Sequence, residues 1–106
     1  VTATQRIVVP NNSVWTFTIL VAGRRTDTTG GGAGYRFDGV LRKDATAGST
    51  TLVGAVSKSV LGETNTAWNA AVTVNTTNGS LKVDVTGEAA KTIRWVATVM
   101  TTEVTN

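Results

Sequence analysis

Trp68-Asn69-Ala70-Ala71-Val72-Thr73-Val74-Asn75, then Thr76-Thr77-Asn78-Gly79, then Ser80-Leu81-Lys82-Val83-Asp84-Val85-Thr86 is the stretch that decides the fold. Val72 and Val74 alternate with Thr73 and Asn75, and Leu81, Val83 and Val85 alternate with Lys82, Asp84 and Thr86. That is the period of two of a half-buried strand, with one face dry and one wet. Asn78-Gly79 between the two runs tolerates positive φ and suits a tight hairpin turn. A second connection, Gly87-Glu88-Ala89-Ala90-Lys91, has opposite charges on its flanks and reads as a solvated hairpin loop rather than a site. The run beyond it, Thr92 to Val104, is apolar on both faces: Ile93, Trp95, Ala97 and Val99 on one, Val96, Thr98 and Met100 on the other. A second sheet covers only one of these faces, so the other, with Val96, Thr98 and Met100, meets either another element or another copy of the chain, which makes these three a candidate interface between copies.

Outside this stretch, length and composition bound the answer. A chain of 106 residues forms one domain and buries roughly 65% of its unfolded surface, enough to fold without staples. It has no cysteine and no histidine, which removes thiol chemistry, imidazole bases and most zinc or copper sites. No apolar run approaches the roughly 20 residues of a membrane helix, so membrane insertion is not expected. The start at Val1, without methionine, reads as a fragment of a longer polypeptide. Ten Lys and Arg against seven Asp and Glu give a net charge of +3. These cations are scattered, without the basic stripe and interleaved aromatics of a nucleic-acid footprint.

The N-terminal two thirds read as short strands separated by polar turns. Gln5 to Val9 stops at Pro10, the only proline, as a short strand, with residues 1–12 as a candidate lead-in arm. The Asn-x-Ser/Thr sequons at Asn11 and Asn75 read as turn chemistry. Val14 to Ala22 places Trp15, Phe17, Ile19 and Val21 on one face, which belongs in the core. Arg24 to Gly34 contains four glycines and reads as loop, without the Gly-Lys-Ser/Thr of a phosphate cradle. Its rim residues Arg24, Arg25 and Asp27 are candidate ligands for a polar molecule such as a sugar, weighed against a plain solvated loop. Tyr35 to Lys43 alternates again, with Arg36 and Asp38 spaced for a surface ion pair. Leu52 to Leu61 reads as one strand with Gly54 marking a bulge. Trp68, at the mouth of the next strand beside Asn69, is the candidate platform for stacking on a sugar face.

The search for catalysis returns little. Asp27, Asp38, Asp44, Glu63, Asp84, Glu88 and Glu103 are scattered over turns and wet faces without an acid-base pair in sequence, so an enzyme is not expected. No calcium loop of the Asp-x-Asp type occurs. No metal or cofactor site is expected.

Several segments carry a resemblance to a known family. Trp15-x-Phe17 with Ala22-Gly23-Arg24-Arg25-Thr26-Asp27, Gly34-Tyr35-Arg36-Phe37-Asp38-Gly39-Val40-Leu41-Arg42-Lys43-Asp44, Trp68-Asn69-Ala70, Asn78-Gly79-Ser80-Leu81 and Lys91-Thr92-Ile93-Arg94-Trp95-Val96-Ala97 together resemble the C-terminal domain of tail-fibre proteins of tailed bacteriophages. The resemblance runs over most of the chain. Gly30-Gly31-Gly32 departs from it, standing where more polar residues are expected. It implies a host-recognition module on the outside of the virion, assembled as a homotrimer and contacting bacterial surface polysaccharide or another receptor. Trimerisation also covers the second face of the last strand, and threefold avidity makes weak sugar contacts sufficient. The expected fold is an all-β antiparallel sandwich of about seven strands, with a jelly-roll-like pairing as one variant. The alternatives are a structural trimerisation cap of the fibre and, third, a fragment of a polysaccharide depolymerase.

Overall fold

The computed structural model describes residues 2–105. Val1 and Asn106, included in the expected domain of 1–106 and, for Val1, in the arm of 1–12, lie outside the described residues. Eight strands follow one another: β1 (Thr2–Val8), β2 (Ser13–Arg25), β3 (Gly32–Lys43), β4 (Thr51–Leu52), β5 (Ser57–Glu63), β6 (Asn69–Asn75), β7 (Ser80–Thr86) and β8 (Ile93–Thr105). They form two antiparallel sheets. One has three strands in the order β1-β7-β6, and the other has five, in the order β4-β3-β2-β8 with β5 also on β3.

The core lies between the sheets, as the alternation requires. Trp15, Phe17, Ile19 and Val21 of β2 and Tyr35, Phe37 and Leu41 of β3 meet Ala70 and Val72 of β6 and Leu81, Val83 and Val85 of β7. The fold is therefore an all-β sandwich. The Thr76–Gly79 connection does join an antiparallel pair, Asn75 opposite Ser80. Gly79 is at φ +63°, and the Asn75 side chain accepts the amides of Thr77 and Asn78. At the same end Lys43, only 6% exposed, donates its ammonium to the Val9 carbonyl at 2.6 Å, which satisfies a charge on the core-facing row.

Five expectations are corrected. The run Leu52–Leu61 is two strands, β4 and β5, which raises the count from seven to eight. Gly54 is at φ +79°, a value that favours glycine and turns the chain between them. The bulge lies instead at Leu61, where the register steps from Gly34–Gly62 to Tyr35–Val60. The strands divide three and five, with hairpins β2–β3 and β6–β7, rather than into the double Greek key of a jelly roll. Residues 2–8 are no lead-in arm, because all seven pair with β7. Finally, Gly87–Lys91 is not a hairpin loop: β7 belongs to the small sheet and β8 to the large one, so this connection crosses between layers.

The outer faces of the two sheets differ. That of the small sheet carries Thr4, Arg6, Thr73, Lys82 and Asp84. That of the large sheet exposes Val14, Leu20, Val96, Met100 and Val104, separated by Thr16, Thr18, Thr98 and Thr102. Val96, Thr98 and Met100, the expected trimer contacts, lie on this face in β8, which occupies the end of the strand order. Arg36 and Asp38 form the expected ion pair there at 3.1 Å. Being exposed to solvent, it contributes little to stability.

Candidate functional site

Three connections meet at one end of the sandwich: Thr26–Gly31 between β2 and β3, Thr64–Trp68 between β5 and β6, and Gly87–Thr92 between β7 and β8. Their backbones are tied together. Arg25 N–H donates to the Gly31 carbonyl, Thr26 N–H to that of Thr92, Thr64 N–H to that of Gly32 and Trp68 N–H to that of Asn65, all within 3.2 Å. Between them lies an open hollow of about 210 Å³, lined by Arg25, Thr29, Thr64, Asn65, Glu88 and Lys91 around the edge of Trp68.

Trp68 is the anchor of this end. It is 2% exposed, so it is not the half-exposed sugar platform that its position at a strand mouth suggests. Its ring meets Trp95 edge-on, with centroids 5.8 Å apart, and Trp95 in turn stacks on Tyr35 at 6.5 Å. Gly31, at φ +85°, lies against the indole, and a Cβ there would come within 3.4 Å of it. The glycine run Gly30-Gly31-Gly32 thus brings loop backbone close to a buried tryptophan. The indole N–H donates to Glu88 Oε1 at 3.0 Å.

The charges of the hollow are held in pairs. Arg25 grips Asp27 through two nitrogens, at 2.6 and 3.2 Å. Lys91 Nζ donates to Glu88 Oε2, so one Glu88 carboxylate takes hydrogen bonds from both Lys91 and Trp68. Glu88 is held below its ordinary value first by Lys91 and then by Trp68. Asp27 is held low chiefly by Arg25, and Arg25 is raised by Asp27. Beneath them burial, followed by the Glu63 carboxylate that accepts its hydroxyl at 2.8 Å, raises Tyr35. A carboxylate with a depressed value contributes its stabilisation in full above its unfolded value, and loses it as pH falls through the folded one. The Trp68 indole N–H resonance is therefore expected to be constant at neutral pH and to titrate with a midpoint below 4.5, the unperturbed glutamate value. Glu88→Gln removes that transition in an NMR titration. A midpoint at or above 4.5 would contradict the pairing.

The expected site residues are thus divided. Arg25, Asp27 and Trp68 are brought together at the hollow, Asp27 through its grip on Arg25. Asn69 is not part of it, since its side chain accepts from Lys58 Nζ at 2.6 Å. Arg24 lies on the outer face of the large sheet, opposite Arg94. Glu88 and Lys91 were missed as site residues, because a charged five-residue connection between two strands has the appearance of a hairpin loop. Only the placement of its flanking strands in different sheets carries it across the end of the core. The Trp68 indole, a buried donor that needs an acceptor, is the one signal in the sequence that asks for such a partner. Comparison with family models, curated proteins and solved structures gives no match for this chain.

Proposed function

We propose that this domain is the receptor-binding tip domain of a bacteriophage tail fibre, carried on the outside of the virion and attaching it to host surface polysaccharide. The observation that carries the reading is the loop-end hollow: an open polar depression whose walls come from three connections tied to a rigid sandwich. Binding groups presented by loops on a fixed scaffold are the usual way such folds recognise ligands. With Trp68 buried, sugar recognition here rests on hydrogen bonds from Thr29, Thr64, Asn65 and Lys91, and not on stacking. Glycoside hydrolysis needs one carboxyl kept protonated as the acid. Asp27 and Glu88 are both held low, which favours adhesion over the depolymerase reading.

A second reading is favoured by one observation, the exposed Val14, Leu20, Val96, Met100 and Val104 on a single sheet face. A structural cap that holds three fibre chains together uses such a face, and the fibre-tip reading also places a homotrimer contact there. The test is adsorption of the purified domain to intact bacterial cells, before and after periodate oxidation of their polysaccharide. The receptor reading expects saturable adsorption that periodate abolishes and that Lys91→Ala weakens about tenfold, the loss of one charge-assisted hydrogen bond. A domain of trimeric solution mass that does not adsorb is a cap.

A further inference from the structure

We propose that Arg24 and Arg94 form a second site, adjoining the hollow, which binds the carboxylate of an acidic saccharide. The ten lysines and arginines sort by partner. Arg25, Arg36, Arg42, Lys82 and Lys91 each face a carboxylate. Arg6, Lys43 and Lys58 donate to neutral oxygens. Arg24 and Arg94 alone have neither kind of partner among the described residues.

They are also directly opposite each other on adjacent strands, Arg24 of β2 against Arg94 of β8. Opposed residues of an antiparallel pair have Cβ atoms about 5 Å apart and share a face, and like charges so placed repel. An arrangement that raises the energy of the free protein is relieved by an anion seated between the two guanidinium groups. The surroundings fit one. The two side chains border a groove of about 450 Å³ with Thr26 and Thr28 on its rim, Ala22 and Val96 among its apolar lining, and no carboxylate side chain. Arg25 also borders it, its charge committed to Asp27. Two planar forks and two hydroxyl groups match a carboxylate attached to a hydroxyl-rich ring, which guanidinium binds in bidentate fashion.

That the anion belongs to a saccharide rests on the receptor reading above. That an anion binds here rests on the arginines themselves. The hollow and this groove share Arg25, so a chain of sugars with spaced carboxylates reaches both.

The experiment is an NMR and calorimetric titration with tetragalacturonic acid and, as the uncharged control, its fully methyl-esterified form. The expected result is that the acid shifts the Nε–H resonances of Arg24 and Arg94, binds at least tenfold more tightly than the ester, and weakens as salt is raised. Arg94→Gln and Arg24→Gln each lower its affinity roughly tenfold, and neither lowers the melting temperature, since each removes a repulsion. Equal binding of acid and ester, or no response at either arginine, overturns the proposal. Cell adsorption separates it from the broader reading. If Arg94→Gln weakens the acid in titration but leaves adsorption to cells intact, the anion site stands and its part in receptor attachment falls. If the arginines are silent while periodate-sensitive adsorption persists, the receptor reading stands without this site.

Discussion

Trp68→Ala is expected to lower the unfolding free energy by about 3–5 kcal/mol, the usual cost of emptying a buried tryptophan site. The residue is 2% exposed and packs on Trp95 and Gly31, so truncation opens a cavity beneath all three connections. It also takes the indole donor from Glu88. A domain of this size has only about 5–15 kcal/mol in total, so urea denaturation should show a large fall in midpoint. Trp68→Phe keeps most of the packing and loses the hydrogen bond, and should fall between the two. Both variants loosen the hollow, so the receptor reading expects adsorption to cells to fall with stability. An unchanged midpoint with adsorption lost would mean that Trp68 acts as a surface platform and would overturn its role as anchor, since exposed substitutions stay within about 0.5 kcal/mol.

The second large effect comes from a contrast within β2. Phe17 and Leu20 are three positions apart and so on opposite faces of the strand. Phe17 is 1% exposed and Leu20 is 46% exposed. Phe17→Ala should cost about 3–5 kcal/mol, while Leu20→Ala should cost less than about 1 kcal/mol in dilute protein, because nearly half of its surface is already in water and truncation leaves no enclosed cavity. Denaturation at two protein concentrations adds a reading of the outer face. A second copy seated over Leu20 makes the cost of Leu20→Ala grow with concentration, as mass action requires. Equal costs for the two variants in dilute protein would mean that the sheet face is assigned wrongly.

The division of the site follows from the same geometry. Arg24 and Arg25 are neighbours in sequence and were expected to act together at one rim. Being consecutive residues at the end of a strand, they point to opposite faces. Arg25 joins Asp27 at the hollow and Arg24 meets Arg94 on the outer sheet. Trp68 was singled out as a half-exposed platform, and it is buried beneath the connections instead. A large aromatic at a strand mouth is equally suited to a ligand or to a core, and only its neighbours decide between them.

The sequence by itself determined the all-β class, the faces of nearly every strand and the turn at Asn78-Gly79. Each of these is set by contacts a few residues long: a side chain flips with every step of a strand, and a turn needs only its own φ angles. What the tertiary structure decided was which strands become partners. Thr2 lies opposite Thr86, and Ser13 lies opposite Thr105. β7 and β8, separated by six residues, go to different sheets. Nothing in a period of two encodes that choice, because it depends on how all the dry faces are covered at once. That packing carries Glu88 and Lys91 over Trp68, and sets Arg94 against Arg24.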